Sequence, residues 1–373
     1  MERIRESKKT IVVLLCIWCG FTSLGMGQRI KVIVDQDARG PGTTDIQSIL
    51  MFAQAPNIEV LGVTIVTGDQ WAKEESVHTL RALELAGRTD IPVLIGAQQP
   101  LINTKEEEEW WSSRYGIVGT EGGAWGGDPG GKSNQPANPH APDVVPLPPE
   151  GMPQTKVSDE NAVNFIIRMV HKYPGEVTLW AGGPLTNIAL AVSIDPEITK
   201  LAKDIVIMGG SIYVETSRNH GRRELNWWFD PEAARIVLSA PWKKMTITPI
   251  DVSVKTRMSE QIQAEINKAD TPLTRYLNKY WRPSYMWDEI AAATVIDPSF
   301  ITDQREFYVN IDSDHGPNYG ETIFIENKNN VKVGPWWRLA TVQFDLDTKK
   351  FYEMYIHLMC QPPGSGRAKS TQE

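Results

Sequence analysis

The sequence predicts an α/β fold in which helices cover both faces of an open, mainly parallel sheet. Apolar, β-branched runs without polar alternation recur along the chain, as expected for strands buried on both faces. Helical patterns lie between them, and such alternation joins parallel strands. The runs, in chain order, are IKVIVD, EVLGVTIVTG, VTLWAGG, DIVIMGG and MTITPID. The expected sheet is therefore Rossmann-like.

The helical segments carry start and stop residues. Gly87 follows EESVHTLRALELA as a stop, while Asp230 and Pro231 open DPEAARIVLSA as cap and first-turn residue. The remaining helices of this kind are TTDIQSILMFAQ, DENAVNFIIRMVHKY and PLTNIALAVSI. Two short strands and a closing helix are expected in the C-terminal part.

We predict one domain over residues 28–361, because no internal repeat and no Pro/Ser linker divides it. Residues 116–157 are dense in glycine and proline, and a loop of that length is either an ordered lid or a mobile insertion. Residues 362–373 are expected to form a disordered tail.

Residues 1–27 have the pattern of a secretory signal peptide. Basic residues precede the apolar run TIVVLLCIWCGFTSLGM, which ends in the small-x-small pattern of Gly25 to Gly27. A membrane anchor is the alternative, although the run is barely long enough to span a bilayer. We therefore expect an exported protein, periplasmic or secreted, with no stable membrane anchor after cleavage.

The composition narrows the class of partner. The chain has a net charge of -8, and residues 1–27 are themselves net positive, so the remainder is more acidic still. Such a surface is a poor partner for nucleic acid. Cys360 is the cysteine that remains after residue 27, so no internal disulfide is expected.

Polar residues and glycines follow the ends of the predicted strands. Asp35 and Asp37 follow the first run, Asp69 the second, Gly182 the third, and Met208 ends the fourth. In an open α/β sheet, ligands bind beyond the carboxyl ends of the strands. The sequence therefore predicts a ligand site at this edge of the sheet.

The stretch KVIVDQDARGPGTTD places three carboxylates, Asp35, Asp37 and Asp45, close together, and nothing in the sequence near them neutralises them except Arg39. Oxygen ligands without histidine or cysteine select a hard divalent cation, and the flexible spacing favours Ca²⁺ over Mg²⁺. The alternative is structural, since aspartates also cap helices and end strands.

A series of motifs gives the chain a family resemblance. They are DQD followed by TD, TGDQ, HTLRALELAGRTDIPVLIGAQQPL, GEVTLWAGGPLTNIALAVSIDPE, IVIMGG, ELNWWFDPEAARIV and MWDEIAAATVIDP. In this order they resemble the nucleoside hydrolase family, which cleaves ribonucleosides into base and ribose. The resemblance is clear over residues 30–300 and implies the nucleoside hydrolase fold and a homo-oligomer, dimer or tetramer.

The resemblance also implies a Ca²⁺ site. In the family an aspartate cluster holds a Ca²⁺ that binds both ribose hydroxyls and a water. Carried over, Asp37 is a metal ligand and the general base, Asp45 and Asp288 are carboxylate ligands, and Gly182 is a ligand through its backbone carbonyl. Asp35 would lie behind them and support them.

Other positions resemble the family's sugar contacts. Glu224 and Asn226 match residues that hold the sugar hydroxyls, and Met208 matches one that packs beneath the ribose. Thr44 stands where the family has an aspartate that contacts a ribose hydroxyl, in a loop that ARGPGT lengthens. Threonine supplies a hydrogen bond but no negative charge, which could cost several powers of ten in rate.

The base contacts resemble the purine-specific branch of the family. In that branch a tryptophan stacks on the purine, whereas another branch has at this position a histidine that assists departure of the base. Trp287 and Asp69 both match the purine-specific branch. The purine-specific branch uses a second tryptophan, and Trp110 or Trp111 lies at a similar place in this sequence. Packing is the alternative for these side chains, because the chain has 13 tryptophans.

The chemistry of glycosidic-bond cleavage also favours a catalytic role for these carboxylates. Breaking an N-glycosidic bond builds positive charge on the sugar, which nearby carboxylates stabilise. A bound cation makes a water more acidic, so that an aspartate can take its proton. Three functions stay open: a Ca²⁺-dependent purine nucleosidase, a related hydrolase of another N-ribosyl or glycosyl compound, and a non-catalytic exported protein that binds such a small molecule.

Overall fold

The computed structural model describes residues 28–115, 123–126, 140–214, 221–328 and 331–367. The strands are β1 Ile30–Gln36, β2 Ile58–Ile65, β3 Val93–Ile95, β4 Val177–Ala181, β5 Asp204–Met208, β6 Met245–Thr248, β7 Ile301–Ile311, β8 Thr322–Glu326 and β9 Arg338–Leu346. The predicted signal peptide, residues 1–27, lies outside the described residues.

Helices separate most of these strands. They are α1 Thr44–Gln54, α2 Ala72–Leu85, α3 Lys105–Tyr115, α4 Ala162–Lys172, α5 Thr186–Ile194, α6 Ile198–Leu201, α7 Leu225–Phe229, α8 Pro231–Ser239, α9 Ile250–Ser253, α10 Glu260–Asn267, α11 Pro272–Tyr280, α12 Trp287–Ile296 and α13 Thr348–Met359. Among the helices so described, none is both long and apolar enough to cross a membrane.

The described strands form one nine-stranded sheet in the order β3-β2-β1-β4-β5-β6-β9-β7-β8. Strand β7 is antiparallel to both of its neighbours, and the remaining neighbours are parallel. The predicted mainly parallel α/β sheet is therefore confirmed. Strand β7 was not predicted, because its first half, ITDQRE, is too polar to read as a buried run.

Helices cover both faces of the sheet, as predicted. One core layer contains side chains of α1, α2, α12 and α13, and the other contains side chains of α4, α5 and α8. Strand β1 lies between β2 and β4, with Asp35 paired with Thr64 of β2 and with Ala181 of β4. The loops after β1, β2 and β4 consequently leave the sheet side by side.

The predicted helix signals have the expected local structure. Gly87, just beyond the end of α2, has a φ of +67°, a conformation that side chains with a β-carbon rarely adopt. The carboxylate of Asp230 caps α8 by accepting from the N–H of Ala233 at 3.1 Å. It also accepts from the N–H of Leu101 at 2.9 Å, which anchors the chain after β3.

The last part of the predicted glycine- and proline-rich loop packs along α2. The indole N–H of Trp71 donates to the His140 carbonyl at 2.7 Å, and the N–H of Thr155 donates to Glu84 at 2.7 Å. Residues 116–122 and 127–139 of that loop lie outside the described residues. In the predicted tail, Gly364 donates to the Ala86 carbonyl at 2.8 Å, while residues 368–373 are not described.

Candidate active site

Three predicted metal ligands come together although they are distant in sequence. Asp37 follows β1, Asp45 lies in the first turn of α1, and Asp288 lies in the first turn of α12. Their exposed fractions are 2%, 5% and 2%. The carboxyl groups of Asp45 and Asp288 are hydrogen-bonded to each other, the charge of Asp45 acts on Asp37, and the charge of Asp37 acts on Asp288. The structure thus forms one buried carboxyl cluster, which we define as these three residues.

Burial is the main influence on this carboxyl cluster. It raises the pKa of Asp45 to about 7, with a further contribution from the negative charge of Asp69. Burial and the charges of Asp69 and Asp45 raise the pKa of Asp37 well above its usual range. Burial and Asp45 do the same for the pKa of Asp288. Without a cation, the folded protein therefore favours protonated forms of these groups.

The side chains of the carboxyl cluster carry the donor atoms that a hard divalent cation prefers. They offer carboxylate oxygens, and Oδ1 of Asp288 is buried without a hydrogen-bond partner in the described structure. Within the described ranges, no group of three or more Asp, Glu, His or Cys side chains is arranged so that it could hold a metal ion. Asp37, Asp45 and Asp288 are the residues that would hold the ion, which would compete with protons for their carboxyl groups.

Glycines allow other chain segments to approach Asp37 closely. A β-carbon on Gly183 would lie 2.7 Å from Oδ1 of Asp37, and one on Gly68 would lie 2.2 Å from Oδ2. Real β-carbons do not approach so closely, so the ends of β2 and β4 need glycine here. This packing also brings the backbone of Gly182 to the site.

Gly182, Asn226 and Met208 meet at the carboxyl ends of β4 and β5. The side-chain amide of Asn226 donates to the Gly182 carbonyl at 2.6 Å and lies 3.4 Å from the sulfur of Met208. A carbonyl oxygen has two lone pairs, so Gly182 keeps one for a ligand. The predicted sugar contacts and the predicted carbonyl ligand therefore lie in one place.

Glu224 is held by backbone groups. Its carboxylate accepts from the N–H groups of Gly210 at 3.1 Å, Asn226 at 2.8 Å and Trp227 at 3.3 Å. Burial nevertheless raises its pKa to about 7. Glu224 thus caps α7 and fixes the position of Asn226, a role that the sequence did not predict.

Asp35, the predicted support of the metal ligands, is buried near the end of β1. It accepts from the hydroxyl of Thr64 and, at 2.8 Å, from the side-chain amide of Asn187. Its other oxygen is buried without a partner in the described structure, and burial raises its pKa to about 7. Asp35 therefore links β1 to β2 and to α5.

Thr44 links α1 to α12. Its hydroxyl accepts from the N–H of Asp288 at 3.1 Å and donates to the carboxylate of Glu289. The predicted contact with a ribose hydroxyl would compete with these two bonds. Glu289 was missed in the sequence, although it follows Asp288 directly, and burial raises its pKa to about 8.

The predicted neutralising residue, Arg39, pairs with Asp69. Its Nη1 lies 3.1 Å from Oδ2 of Asp69, and the N–H of Asp69 donates to Oδ2 of Asp37 at 2.9 Å. Asp69 therefore contacts both Asp37, the predicted general base, and Arg39 in the loop of residues 38–43. A further buried carboxyl, Glu75, lies close enough to Asp37 to be affected by its charge; its helical context concealed it in the sequence.

The candidate tryptophans have different environments. Trp287 is half-buried at the start of α12, and its ring lies 4.9 Å from that of Tyr285. Trp111 is 3% exposed, and its indole N–H donates to the Gly316 carbonyl at 2.7 Å, so it is committed to packing. Trp110 is 58% exposed on α3. Trp287, next to Asp288, is the one of the three that adjoins the carboxyl cluster in sequence.

Known proteins resemble this chain over most of its length. It is 31% identical over 282 residues to probable uridine nucleosidase 2 of Arabidopsis thaliana, covering 74% of this chain and 78% of that protein. It is 29% identical over 289 residues to the inosine-uridine preferring nucleoside hydrolase of Crithidia fasciculata, covering 74% and 81%.

A solved structure supports the predicted fold. The purine-preferring ribonucleoside hydrolase from Gardnerella vaginalis superposes with a TM-score of 0.69 at 22% identity, covering 91% of this chain and 100% of that one. The model of the inosine-uridine preferring nucleoside hydrolase family matches residues 32–353. The chain belongs to this family of metal-dependent glycosidases, whose chemistry is hydrolysis of the N-glycosidic bond of nucleosides.

Proposed function

We propose that this protein is a Ca²⁺-dependent nucleosidase that hydrolyses purine ribonucleosides to free base and ribose. The observation that carries the proposal is the meeting of Asp37, Asp45 and Asp288 in one buried carboxyl cluster. Negative groups placed next to a sugar stabilise the positive charge that develops when its glycosidic bond breaks.

Asp37 is the proposed general base. A divalent ion held by the carboxyl cluster would make a water more acidic, which is its contribution to the chemistry. The N–H of Asp69 fixes one oxygen of Asp37 at 2.9 Å and leaves the other to accept the proton of the water. Asn226 and Met208 orient the sugar from the ends of β4 and β5.

Purine specificity rests on Trp287. An aromatic ring next to the reacting sugar offers a flat surface on which a base can stack. The ring of Tyr285 packs against the ring of Trp287, with 4.9 Å between their centres. The relatives are named for uridine as well as for inosine, so the choice of base is the part of the proposal that most needs measurement.

A product assay tests the proposal. The chain from residue 28 is treated with a chelator and then assayed with inosine, adenosine and uridine, with and without added Ca²⁺. We expect free purine only with Ca²⁺, and loss of turnover in Asp37→Asn without loss of folding. Turnover that persists in Asp37→Asn would contradict the role of Asp37, and turnover that survives chelation would contradict the need for metal.

The engagement of Thr44 favours a second candidate. Its hydroxyl is bonded to Asp288 and Glu289, so no carboxylate stands at this position to receive a ribose hydroxyl. A related hydrolase for another N-ribosyl or glycosyl compound would need no such contact. It would show weak turnover of all three nucleosides beside stronger turnover of a different glycoside. Calorimetric binding of a nucleoside with no product would instead indicate a binding protein.

We also propose that residues 1–27 direct export and are removed, and that the mature protein is a homo-oligomer, a dimer or tetramer. The sequence pattern of those residues supports export. Amino-terminal sequencing of exported protein should begin near residue 28, and light scattering should give the mass of two or four chains. An intact N-terminus or a monomer would contradict these two proposals respectively.

A further inference from the structure

We infer that residues 140–157, which we call the strap, hold the first loop, residues 38–43, and so position Asp37 and Asp45. His78 and Glu150 are the positioning residues. The inference rests on the proposed function, because it concerns the two carboxylates at the ends of that loop. The N–H of Arg39 donates to the Asp37 carbonyl at 2.7 Å, and the hydroxyl of Thr43 donates to Asp45 at 2.9 Å.

The first loop is fixed from three sides. The N–H of Gly40 donates to Oε1 of Gln70 at 3.1 Å, and the N–H of Gly42 donates to the hydroxyl of Tyr276 at 2.8 Å. The side chain of Gln47 donates to the Gly42 carbonyl at 2.9 Å. Two of these partners, Gln70 and Tyr276, are themselves connected to the strap.

His78 is the first connection. A β-carbon on Gly40 would lie only 2.2 Å from Cγ of His78, so the loop rests directly against the imidazole. Nδ1 of the imidazole is hydrogen-bonded to the side chain of Glu150 in the strap, and the two side chains are 4% and 2% exposed. The strap therefore fixes the orientation of the ring on which Gly40 rests.

The second connection runs through Gln70. His140, at the start of the strap, lies 3.0 Å from Glu74, and the other oxygen of Glu74 accepts from Nε2 of Gln70 at 3.0 Å. Oε1 of the same Gln70 is the acceptor for Gly40. This chain of hydrogen bonds leads from the strap to the loop without passing through His78.

The third connection runs through two tyrosines of α11. The hydroxyl of Tyr280 donates to the Pro149 carbonyl of the strap at 2.7 Å. The rings of Tyr276 and Tyr280 are 5.4 Å apart, and Tyr276 accepts from Gly42. Three independent routes from one segment to one loop indicate that the strap sets the geometry of that loop.

Hydrogen exchange tests the inference without reference to activity. In the mature chain, Glu150→Ala should increase amide exchange at Gly40 and Gly42 at least tenfold relative to amides of β4, because the loop opens locally more often. Glu160→Ala is the matched control, since it removes an exposed ion pair with Arg168. Unchanged exchange at both glycines in Glu150→Ala would overturn the inference.

Kinetics provide the second readout. Displacement of the general base by about 1 Å can lower the rate by about 100-fold. We expect Glu150→Ala to lower kcat by about this factor with little change in KM, and Glu150→Gln, which keeps a hydrogen-bond acceptor, to restore most of it. Equal losses in Glu150→Ala and Glu160→Ala would contradict a positioning role.

Tyr280→Phe covers the case in which Glu150→Ala does not fold. It removes only the hydroxyl that donates to Pro149. Amide exchange at Gly42 should therefore increase more than amide exchange at Gly40. Equal exchange at the two glycines would count against the role of the strap. If the wild-type chain cleaves no nucleoside, the proposed function fails, whereas the exchange measurement still decides whether the strap holds the loop.

Discussion

The hydroxyl of Thr44 accepts a hydrogen bond from the backbone N–H of Asp288 at 3.1 Å and thereby joins the first turn of α1 to the first turn of α12. It also donates to Glu289. Because Asp45 follows Thr44 directly, this link brings Asp45 and Asp288 within hydrogen-bonding distance of each other. A residue that the sequence suggested as a sugar contact therefore assembles the carboxyl cluster.

Thr44→Val should destabilise the protein and lower its activity. It leaves the N–H of Asp288 without its partner, and a buried unsatisfied donor costs about 1–3 kcal/mol. Urea unfolding measures the loss, and Thr44→Ser is the matched control because it keeps the hydroxyl. Equal stability of the valine and serine variants would show that the link contributes nothing.

Thr44→Asp should restore no activity by itself. The new carboxylate would face Glu289, which burial already favours in its neutral form with a pKa of about 8. We expect Thr44→Asp to be less stable than the wild type, and Thr44→Asp with Glu289→Gln to recover part of that loss. The free energies of unfolding of the two single variants and the double variant should therefore be non-additive; simple additivity would contradict the contact.

Added Ca²⁺ should stabilise the chelator-treated protein. A ligand at 100 times its dissociation constant, bound only by the folded state, adds about 2.7 kcal/mol to the free energy of unfolding. Asp288→Asn should remove most of this increment, because it takes away a carboxylate of the cluster. Asp314→Asn, on the exposed turn before β8, is a control that should leave the increment unchanged. A similar increment in Asp288→Asn would exclude Asp288 as a ligand.

Substitution of Trp287 should change substrate binding, whereas substitution of Trp111 should change stability. Loss of base stacking costs about 1–3 kcal/mol, so Trp287→Ala should raise KM for inosine by roughly 10- to 100-fold. Trp111→Phe should instead lower stability by about 1 kcal/mol through loss of its hydrogen bond, with KM unchanged. Steady-state kinetics and urea unfolding separate the two effects, and an unchanged KM in Trp287→Ala would remove the stacking role.

Glu224 should make the metal-free protein less stable as pH rises. Burial raises its pKa from 4.5 to about 7, so the folded state binds the proton more tightly than the unfolded state. The ionisation of Glu224 does not change the free energy of unfolding below the pKa that the residue has in the unfolded state. It lowers the free energy of unfolding by its full amount above the pKa that the residue has in the folded state. The shift corresponds to roughly 3 kcal/mol between those pH values.

Glu224→Gln tests this pH dependence. Because glutamine does not ionise, the variant should lose less stability than the wild type when the pH is raised from 4.5 to 7 in the presence of a chelator. Urea unfolding at both pH values gives the difference. Parallel pH profiles for the two proteins would show that Glu224 does not titrate in this range.

Some site positions were predictable because a single strand or helix places them. Asp35 lies near the end of β1 and Asp37 follows it, and parallel strands end at one edge of the sheet, so their place followed from the apolar runs. The cap at Asp230 likewise depends only on the residues next to it in sequence. Strand β7 was missed because its first half is partly solvent-exposed and carries polar residues that conceal the pattern.

Sequence alone determined the α/β class, the order of the main strands and helices and the edge at which the carboxylates gather, because these depend on local periodicity and turn chemistry. Only the tertiary structure decided the partners: Thr44 with Asp288, Glu224 with three backbone amides, and Glu150 with His78. Hydrogen bonds and burial between segments distant in sequence depend on how the helices pack. No local pattern records that packing.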